Sequence, residues 1–130
     1  MDISAYTSYE ALLESVRTLA RDVAAPNAAS VDREARFPHE TVQALRRSRL
    51  LSAPVPQSMG GSGCDIKQLA RICSALGQAC GASAMVLAMH YIQVACLVRH
   101  SADCGPLKDY LRELARSQLL LASMTSEVGT

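Results

Sequence analysis

Apolar residues recur every three or four positions in five stretches of this 130-residue chain, and this is the spacing of one face of an α-helix. The first stretch begins at Thr7, whose hydroxyl and the carboxylate of Glu10 match the two ends of a capping box. Proline lacks a backbone N–H and ends most helices, so Pro26 is predicted to end this one. A polar link, residues 27–36, is predicted to follow it.

Four further helices are predicted from the same periodicity, and they begin at Pro38, at an Asp65 N-cap, at a Ser83 cap and at Pro106. The helix that starts at Ser83 runs to about Arg99 and is apolar around almost its whole circumference, which is typical of a helix surrounded by protein. Its neighbours are amphipathic, with Ile66 and Tyr110 among the residues predicted to face inward. The pattern therefore predicts an all-α, five-helix bundle around one central helix.

A stretch rich in proline and glycine, PVPQSMGGSGCD, separates the second helix from the third. Pro54 and Pro56 restrict the chain to extended conformations, whereas the glycines permit backbone angles that other residues avoid. We therefore predict a rigid, bent connection between the two helices.

The run LLLASMT, residues 119–125, alternates in polarity toward its end and is more typical of a β-strand than of a sixth helix. A lone strand leaves its backbone groups without partners. We therefore predict a helical domain over residues 1–118 and the start of an incomplete β domain over residues 119–130. This arrangement is expected of a fragment of a longer protein.

Composition restricts the classes of partner. Lys and Arg total 13 against 12 Asp and Glu, so the formal net charge of +1 provides no field that would recruit a nucleic acid or an anionic membrane. The longest apolar run, Ala82 to Met89, is far shorter than the roughly 20 residues of a membrane span. The amino terminus lacks a targeting pattern, and five cysteines without a CxxC pair favour a reducing compartment. These features predict a cytoplasmic protein that binds neither nucleic acid nor membrane.

The chain offers no motif for covalent, phosphate or metal chemistry. The glycines of the loop match neither a nucleophile elbow nor a phosphate-binding loop, and no Cys or His residues have the spacing of a metal site. His90 is a polar ring on an apolar helix, where a histidine is more often a hydrogen-bonded core residue than a catalytic group. Residue chemistry alone therefore identifies no catalytic residue.

Five segments, taken together and in order, resemble the amino-terminal helical domain of the acyl-CoA dehydrogenases. They are Asp32-Arg33, FPHE, LLSAPVPQSMGGSGCD, CGASAMVLAMH and LASMTSEVGT, and the resemblance extends from about residue 21 to residue 130. It implies an FAD-dependent oxidoreductase that introduces an α,β double bond into an acyl-CoA thioester. It also implies that the catalytic carboxylate belongs to a later domain, and that residues 119–130 open the family's middle β domain. No catalytic residue is therefore expected in this chain.

The resemblance also implies which residues meet the ligands. Ser126 matches the hydroxyl that hydrogen-bonds the flavin ring, and Ser123 and Thr125 match the residues just before it along that ring. On the fourth helix, the residues that match positions lining or approaching the acyl pocket are Met85, Met89, His90 and Val94. Val128 departs from the family pattern, since it replaces the usual proline after the glutamate.

The same resemblance implies an electron-transferring flavoprotein as a partner and a homotetramer as the assembly. Two alternatives remain open. One is a flavin-dependent monooxygenase of the same superfamily, which the departures at Val128 and Ser123 favour. The other is a non-catalytic helical module that binds a partner, which the absence of any acid/base pair favours.

Overall fold

The computed structural model describes residues 6–124 and residue 128, and over those residues the chain contains helices and no strand. The α-helices are α1 (Tyr9–Leu19), α2 (Ala25–Arg33), α3 (His39–Arg47), α4 (Ile66–Gly77), α5 (Gly81–His100) and α6 (Gly105–Ser117). A π-helical turn, Ala20–Ala24, joins α1 to α2 without leaving helical backbone angles. The described part of the chain thus forms five helical rods, and the predicted all-α, five-helix fold is confirmed.

The first rod begins one residue later than predicted. Ser8, not Thr7, has the extended backbone of an N-cap, and its Oγ accepts a hydrogen bond of 3.2 Å from the backbone N–H of Ala11. Glu10 therefore occupies the second helical position, too early to complete a capping box with the serine. The prediction of a Thr7–Glu10 box was wrong because two adjacent hydroxyl residues competed for one cap.

The same rod continues through Pro26 to Arg33, so the predicted end at Pro26 and the polar link over residues 27–36 were both wrong. The π turn explains the continuation. The backbone N–H of Ala25 donates to the Ala20 carbonyl, five residues back, so the turn ahead of the proline is widened. The proline ring therefore avoids the carbonyl with which it would clash in a regular α-helix.

The helices α4 and α5 lie against each other, α1 packs against α4, and α2 and α6 pack against α5. The helix α3 lies against the first rod. Asp65 is the N-cap of α4, as predicted, and it forms a complete capping box with Gln68 through two hydrogen bonds of 2.9 Å.

The main core cluster includes Leu12, Leu45, Leu50, Leu51, Ile72, Leu76 and Leu87. A second cluster under α6 consists of Val55, Val94, Leu111, Leu114 and Ala115. Since α5 contributes to both clusters, it connects them.

The start of α5 differs from the prediction. Cys80, not Ser83, is the N-cap, and α4 has already ended at Gly77. Ser83 lies inside the first turn, is buried, and its Oγ lies 3.2 Å from Sγ of Cys80. The serine hydroxyl therefore donates to the cap residue and does not itself cap the helix.

One face of α5 is not covered by the described residues, so the expectation of a helix surrounded by protein was wrong for this part of the chain. Leu87, Tyr91 and Val94 face the core, whereas a second row of small or apolar residues faces outward. We call this outward row the α5 stripe, and it consists of Ala82, Met85, Met89, Ile92 and Cys96. Ile66 and Tyr110, also predicted to face inward, are 71% and 40% exposed.

Of the described helices, α5 alone has the length and the apolar composition that could cross a membrane. The central helix of a globular domain meets the same two criteria, and α5 packs against α2, α4 and α6. Its composition is therefore accounted for by a helix that is apolar on two opposite faces.

Beyond α6 the chain leaves helical structure at Gln118, whose φ of 51° places it in the left-handed region. Residues 119–124 adopt no regular element. The division of the chain into a helical domain and the start of a β domain stays a prediction.

The loop between α3 and α4 folds back on itself. Two short 3₁₀ turns, Leu50–Ser52 and Gln57–Met59, frame it, and the N–H of Gly63 donates to the Val55 carbonyl at 2.8 Å. At Gly61 a Cβ atom would lie 2.0 Å from the Val55 carbonyl oxygen and 2.5 Å from that of Ser52. Glycine is required at this position because there is no room for a side chain.

We expect Gly61→Ala to lower the free energy of unfolding by about 3 kcal/mol or more, because backbone atoms would have to move apart. Gly81→Ala is the matched control, since a Cβ there meets no atom within 4 Å. Urea denaturation followed by circular dichroism measures both variants. Equal midpoints for the two variants would contradict the close approach at Gly61.

Candidate functional site

Three side chains that lie far from the 3₁₀ turn Leu50–Ser52 in the sequence converge on it, and we call this element the 50–52 turn. Tyr91 Oη donates to the Leu50 carbonyl at 2.8 Å, and His90 Nε2 lies 2.7 Å from the Leu51 carbonyl. Gln118 Nε2 donates to Oγ of Ser52 at 2.8 Å. The turn is fully buried and supplies the acceptors that hold α5 and the end of α6 together.

His90 uses both nitrogens of its ring. Nδ1 accepts a hydrogen bond of 3.0 Å from the backbone N–H of Leu121, so Nδ1 carries a lone pair. Nε2 must then carry the proton and donate to the Leu51 carbonyl, which defines a neutral ring with one tautomer. The side chain is fully buried. Burial lowers the pKa of His90 below its usual 6.5, and the Leu51 carbonyl opposes this shift.

The chain just after α6 is held at several points. Arg46 Nε donates to the Gln118 carbonyl at 3.1 Å, and the N–H of Leu119 donates to the Leu114 carbonyl at 3.2 Å. The hydrogen bond from Leu121 to His90 follows two residues later. Gln118 Oε1 is buried and has no hydrogen-bond partner among the described residues. We call residues 118–124 the tail segment.

The four predicted pocket residues divide between the two faces of α5. Met85 and Met89 belong to the α5 stripe and are 63% and 43% exposed, whereas His90 and Val94 are fully buried. Their assignment to a substrate pocket stays a prediction. Sequence reasoning missed Ile92, which is 52% exposed and continues the stripe. Its spacing of three residues from Met89 was the available signal.

A shallow apolar cavity of about 170 Å³ borders the stripe between α4 and α5. The residues that line it include Ile66, Leu69, Cys73, Ala88 and Ile92. Desolvation raises the pKa of the Cys73 thiol to about 11, so this thiol is protonated at neutral pH. The cavity therefore offers an uncharged, apolar surface without a nucleophile.

Only part of the predicted cofactor segment falls within the described residues. Ser123 is exposed and lies outside any helix. Thr125 and Ser126 lie outside the described residues, so their contacts with a flavin stay predictions. Among residues 6–124 and 128, no three His, Cys, Asp or Glu side chains form a group that could hold a metal ion.

Larger grooves occur elsewhere on the surface. One of about 540 Å³ lies between α1 and α4 and includes Arg17 and Arg71, and one of about 360 Å³ includes Arg49 and Arg116. Arg17 forms an exposed ion pair with Glu14, and Arg116 with Glu113, so these charges are partly compensated. Exposed pairs of this kind contribute little free energy. Arginines thus line both grooves in part, whereas no charged side chain of the described residues lines the cavity beside α5.

The buried neutral state of His90 predicts a specific pH dependence of stability. In the unfolded chain the ring takes up a proton near pH 6.5, whereas the folded chain resists protonation until a lower pH. Unfolding therefore binds a proton in this window, and the free energy of unfolding should fall as the pH decreases from about 6.5 toward the folded pKa.

The decrease in the free energy of unfolding should be smaller in His90→Gln, because glutamine at position 90 does not titrate. Urea denaturation at a series of pH values between about 7 and 5 measures it. An equal pH dependence of wild type and variant would contradict the buried neutral ring.

Comparison with known proteins matches residues 7–123 to the family described as "Acyl-CoA dehydrogenase, N-terminal domain". The short-chain specific acyl-CoA dehydrogenase of Clostridium acetobutylicum is 26% identical over 118 residues, which cover 91% of this chain and 31% of that protein. The 3-sulfinopropanoyl-CoA desulfinase of Paraburkholderia xenovorans is 38% identical over 74 residues, covering 52% of this chain and 19% of that protein.

A probable acyl-CoA dehydrogenase of Mycobacterium leprae, fadE25, is 40% identical over 68 residues, which cover 47% of this chain and 18% of that protein. The chain thus spans less than a third of the length of each of these relatives. The family match, in contrast, takes in every described helix. This chain belongs to the acyl-CoA dehydrogenase N-terminal domain family.

Proposed function

We propose that this chain is the N-terminal domain of an FAD-dependent acyl-CoA dehydrogenase-like oxidoreductase, and that the α5 stripe forms one wall of its acyl and flavin pocket. The observation that carries the proposal is the stripe itself, an apolar row on a helix whose opposite face already lies in the core. Such a row needs a second covering surface. An acyl chain and the remaining domains of a longer protein provide one.

The relatives support the class of substrate. Their names specify acyl-CoA dehydrogenases and a 3-sulfinopropanoyl-CoA desulfinase, and each name contains a CoA thioester. The residues of the stripe suit the acyl part of such a molecule, because methionine and isoleucine side chains provide an adaptable apolar surface.

The tail segment fits the edge of a flavin ring. Ser123 offers an exposed hydroxyl, and the backbone around it lies outside any helix. Hydroxyl and amide groups pair with flavin nitrogen and oxygen atoms without adding charge. Ser123, Thr125 and Ser126 would hold the cofactor, and Met85 and Met89 would exclude water beside it. FAD itself, when bound, would supply the capacity to accept a hydride from the substrate.

The proton transfer that accompanies dehydrogenation requires a base that we assign to another domain. His90 is unsuited to that role, because both of its nitrogens are already engaged in hydrogen bonds and its ring is fully buried. An electron-transferring flavoprotein as acceptor, a homotetramer as assembly and a cytoplasmic location complete the proposal. They rest on the family alone.

The whole protein, expressed with all of its domains, should be yellow, and its flavin absorption should bleach when an acyl-CoA is added without oxygen. Bleaching would show reduction of the flavin by the thioester substrate, as dehydrogenation requires. Visible spectroscopy during titration with acyl-CoAs of different chain length measures it.

Other results of this titration would each overturn the dehydrogenase proposal in a different way. Flavin bands that no acyl-CoA bleaches, with oxygen consumed only after chemical reduction, would favour a monooxygenase. Consumption of the thioester without bleaching would favour a reaction such as the desulfination named for one relative. A colourless protein would favour a non-catalytic binding module.

Met89→Lys is expected to weaken acyl-CoA binding to the whole protein by about tenfold or more, because an ammonium group in an apolar pocket loses its hydration. Met89 is 43% exposed in this domain, so the variant should change the stability of the isolated domain by less than about 1 kcal/mol. Equilibrium titration monitored by the flavin spectrum measures the affinity.

The matched control is Thr18→Lys, which adds the same charge at an exposed position on α1. This variant should bind acyl-CoA as the wild type does. Equal affinities for Met89→Lys and Thr18→Lys would exclude the α5 stripe from the pocket wall.

A further inference from the structure

His90 connects two segments that are far apart in the sequence. The Leu51 carbonyl lies 39 residues before it and the Leu121 N–H lies 31 residues after it, and each bonds a different ring nitrogen. A buried neutral imidazole has one N–H donor and one lone-pair acceptor, and the two partners that satisfy them here come from different segments. The second bond is made to the tail segment, where the chain has already left α6.

The bond to Leu121 is the last described anchor of the tail before the predicted cofactor residues. Ser123 follows two residues later, so its Cα lies within about 7 Å of the anchored residue. The position of the Leu121 amide therefore restricts where the Ser123 hydroxyl can be placed.

We propose that His90 is a positioning residue that fixes the tail segment through its Nδ1 lone pair, and so sets where the segment meets the flavin. This inference rests on the proposed function. His90 is assigned no contact with substrate or cofactor. Its effect passes through the Leu121 backbone.

Burial favours a neutral ring, and the charged groups on neighbouring elements are engaged elsewhere. Arg46 of α3 donates to the Gln118 carbonyl at the start of the tail segment, and Arg49 beside the 50–52 turn donates to the Ala115 carbonyl of α6. Tyr91 on α5 is a phenol whose pKa is raised by burial, and its hydroxyl donates to Leu50. Protonation of Nδ1 would place a positive charge in a buried site and would set an N–H donor against the N–H of Leu121.

Two conservative variants separate the two bonds. Asn carries an oxygen near the position of Nδ1, so His90→Asn keeps an acceptor for Leu121 and loses the donor for Leu51. Gln carries an amide nitrogen near the position of Nε2, so His90→Gln keeps the donor and loses the acceptor. Both variants lose the packing contacts of the imidazole ring, so each serves as the control for the other.

Amide hydrogen exchange in the 130-residue chain provides a readout that needs no flavin. The Leu121 amide should exchange about tenfold faster in His90→Gln than in His90→Asn or the wild type, since only Gln removes its acceptor. In the wild type, the same exchange should accelerate as the pH is lowered through the His90 pKa, after correction for intrinsic exchange. Long-range nitrogen NMR should show the proton on Nε2 at neutral pH.

The whole protein provides the second readout. FAD should dissociate about tenfold more readily from His90→Gln than from His90→Asn. A wild-type proton on Nδ1 would overturn the proposal even if both variants folded poorly, because this measurement needs no variant. Equal exchange of Leu121 in the two folded variants would overturn it as well. Unequal exchange with equal FAD affinity would also overturn it. A wild-type protein that binds no flavin would instead refute the proposed function.

Discussion

Hydrogen bonding to the backbone of the 50–52 turn is the constraint on which the rest of this domain depends. A buried carbonyl without a partner costs free energy, and here α5 supplies partners for the Leu50 and Leu51 carbonyls, while Gln118 at the end of α6 donates to the Ser52 hydroxyl. Arg49, directly before the turn, has a φ of 55°, so the chain enters the turn through a left-handed residue. The glycine loop then closes over the same turn, since Gly61 approaches the Ser52 carbonyl too closely for any side chain.

This arrangement explains why α5 is apolar on two opposite faces. One face must cover the 50–52 turn and join the two core clusters, and His90 and Tyr91 on this face bond the turn. The other face carries the α5 stripe. In the proposed function, this single helix separates the interior of the domain from the ligand pocket of the whole protein. Substitutions on its two faces should therefore have different consequences, one for stability and the other for binding.

The sequence predicts the helices well where local chemistry decides them. Asp65 is the expected N-cap of α4, and the five rods follow the apolar periodicity. Prediction from the sequence fails where contacts between distant residues determine the local structure. Nothing local distinguishes Thr7 from Ser8 as a cap, and Pro26 ends a helix unless the preceding turn is widened. Periodicity also identifies apolar faces without stating what covers them, so the open face of α5 was mistaken for a second core face. The contact between His90 and Leu121 joins positions 31 residues apart, and no local pattern encodes it.

The π turn between α1 and α2 has a geometric consequence for the amino-terminal rod. A π turn accommodates one residue more than an α-helical turn, and each residue of an α-helix rotates the following side chains by about 100° about the axis. The side chains of the rod after Ala24 are therefore rotated about the helix axis relative to the face that Leu12 and Val16 define. That rotation allows Val31 to reach the interior, where it is buried, although the first part of the rod faces a different neighbour. One inserted residue thus lets a single continuous rod present its apolar surface to two different sides of the bundle.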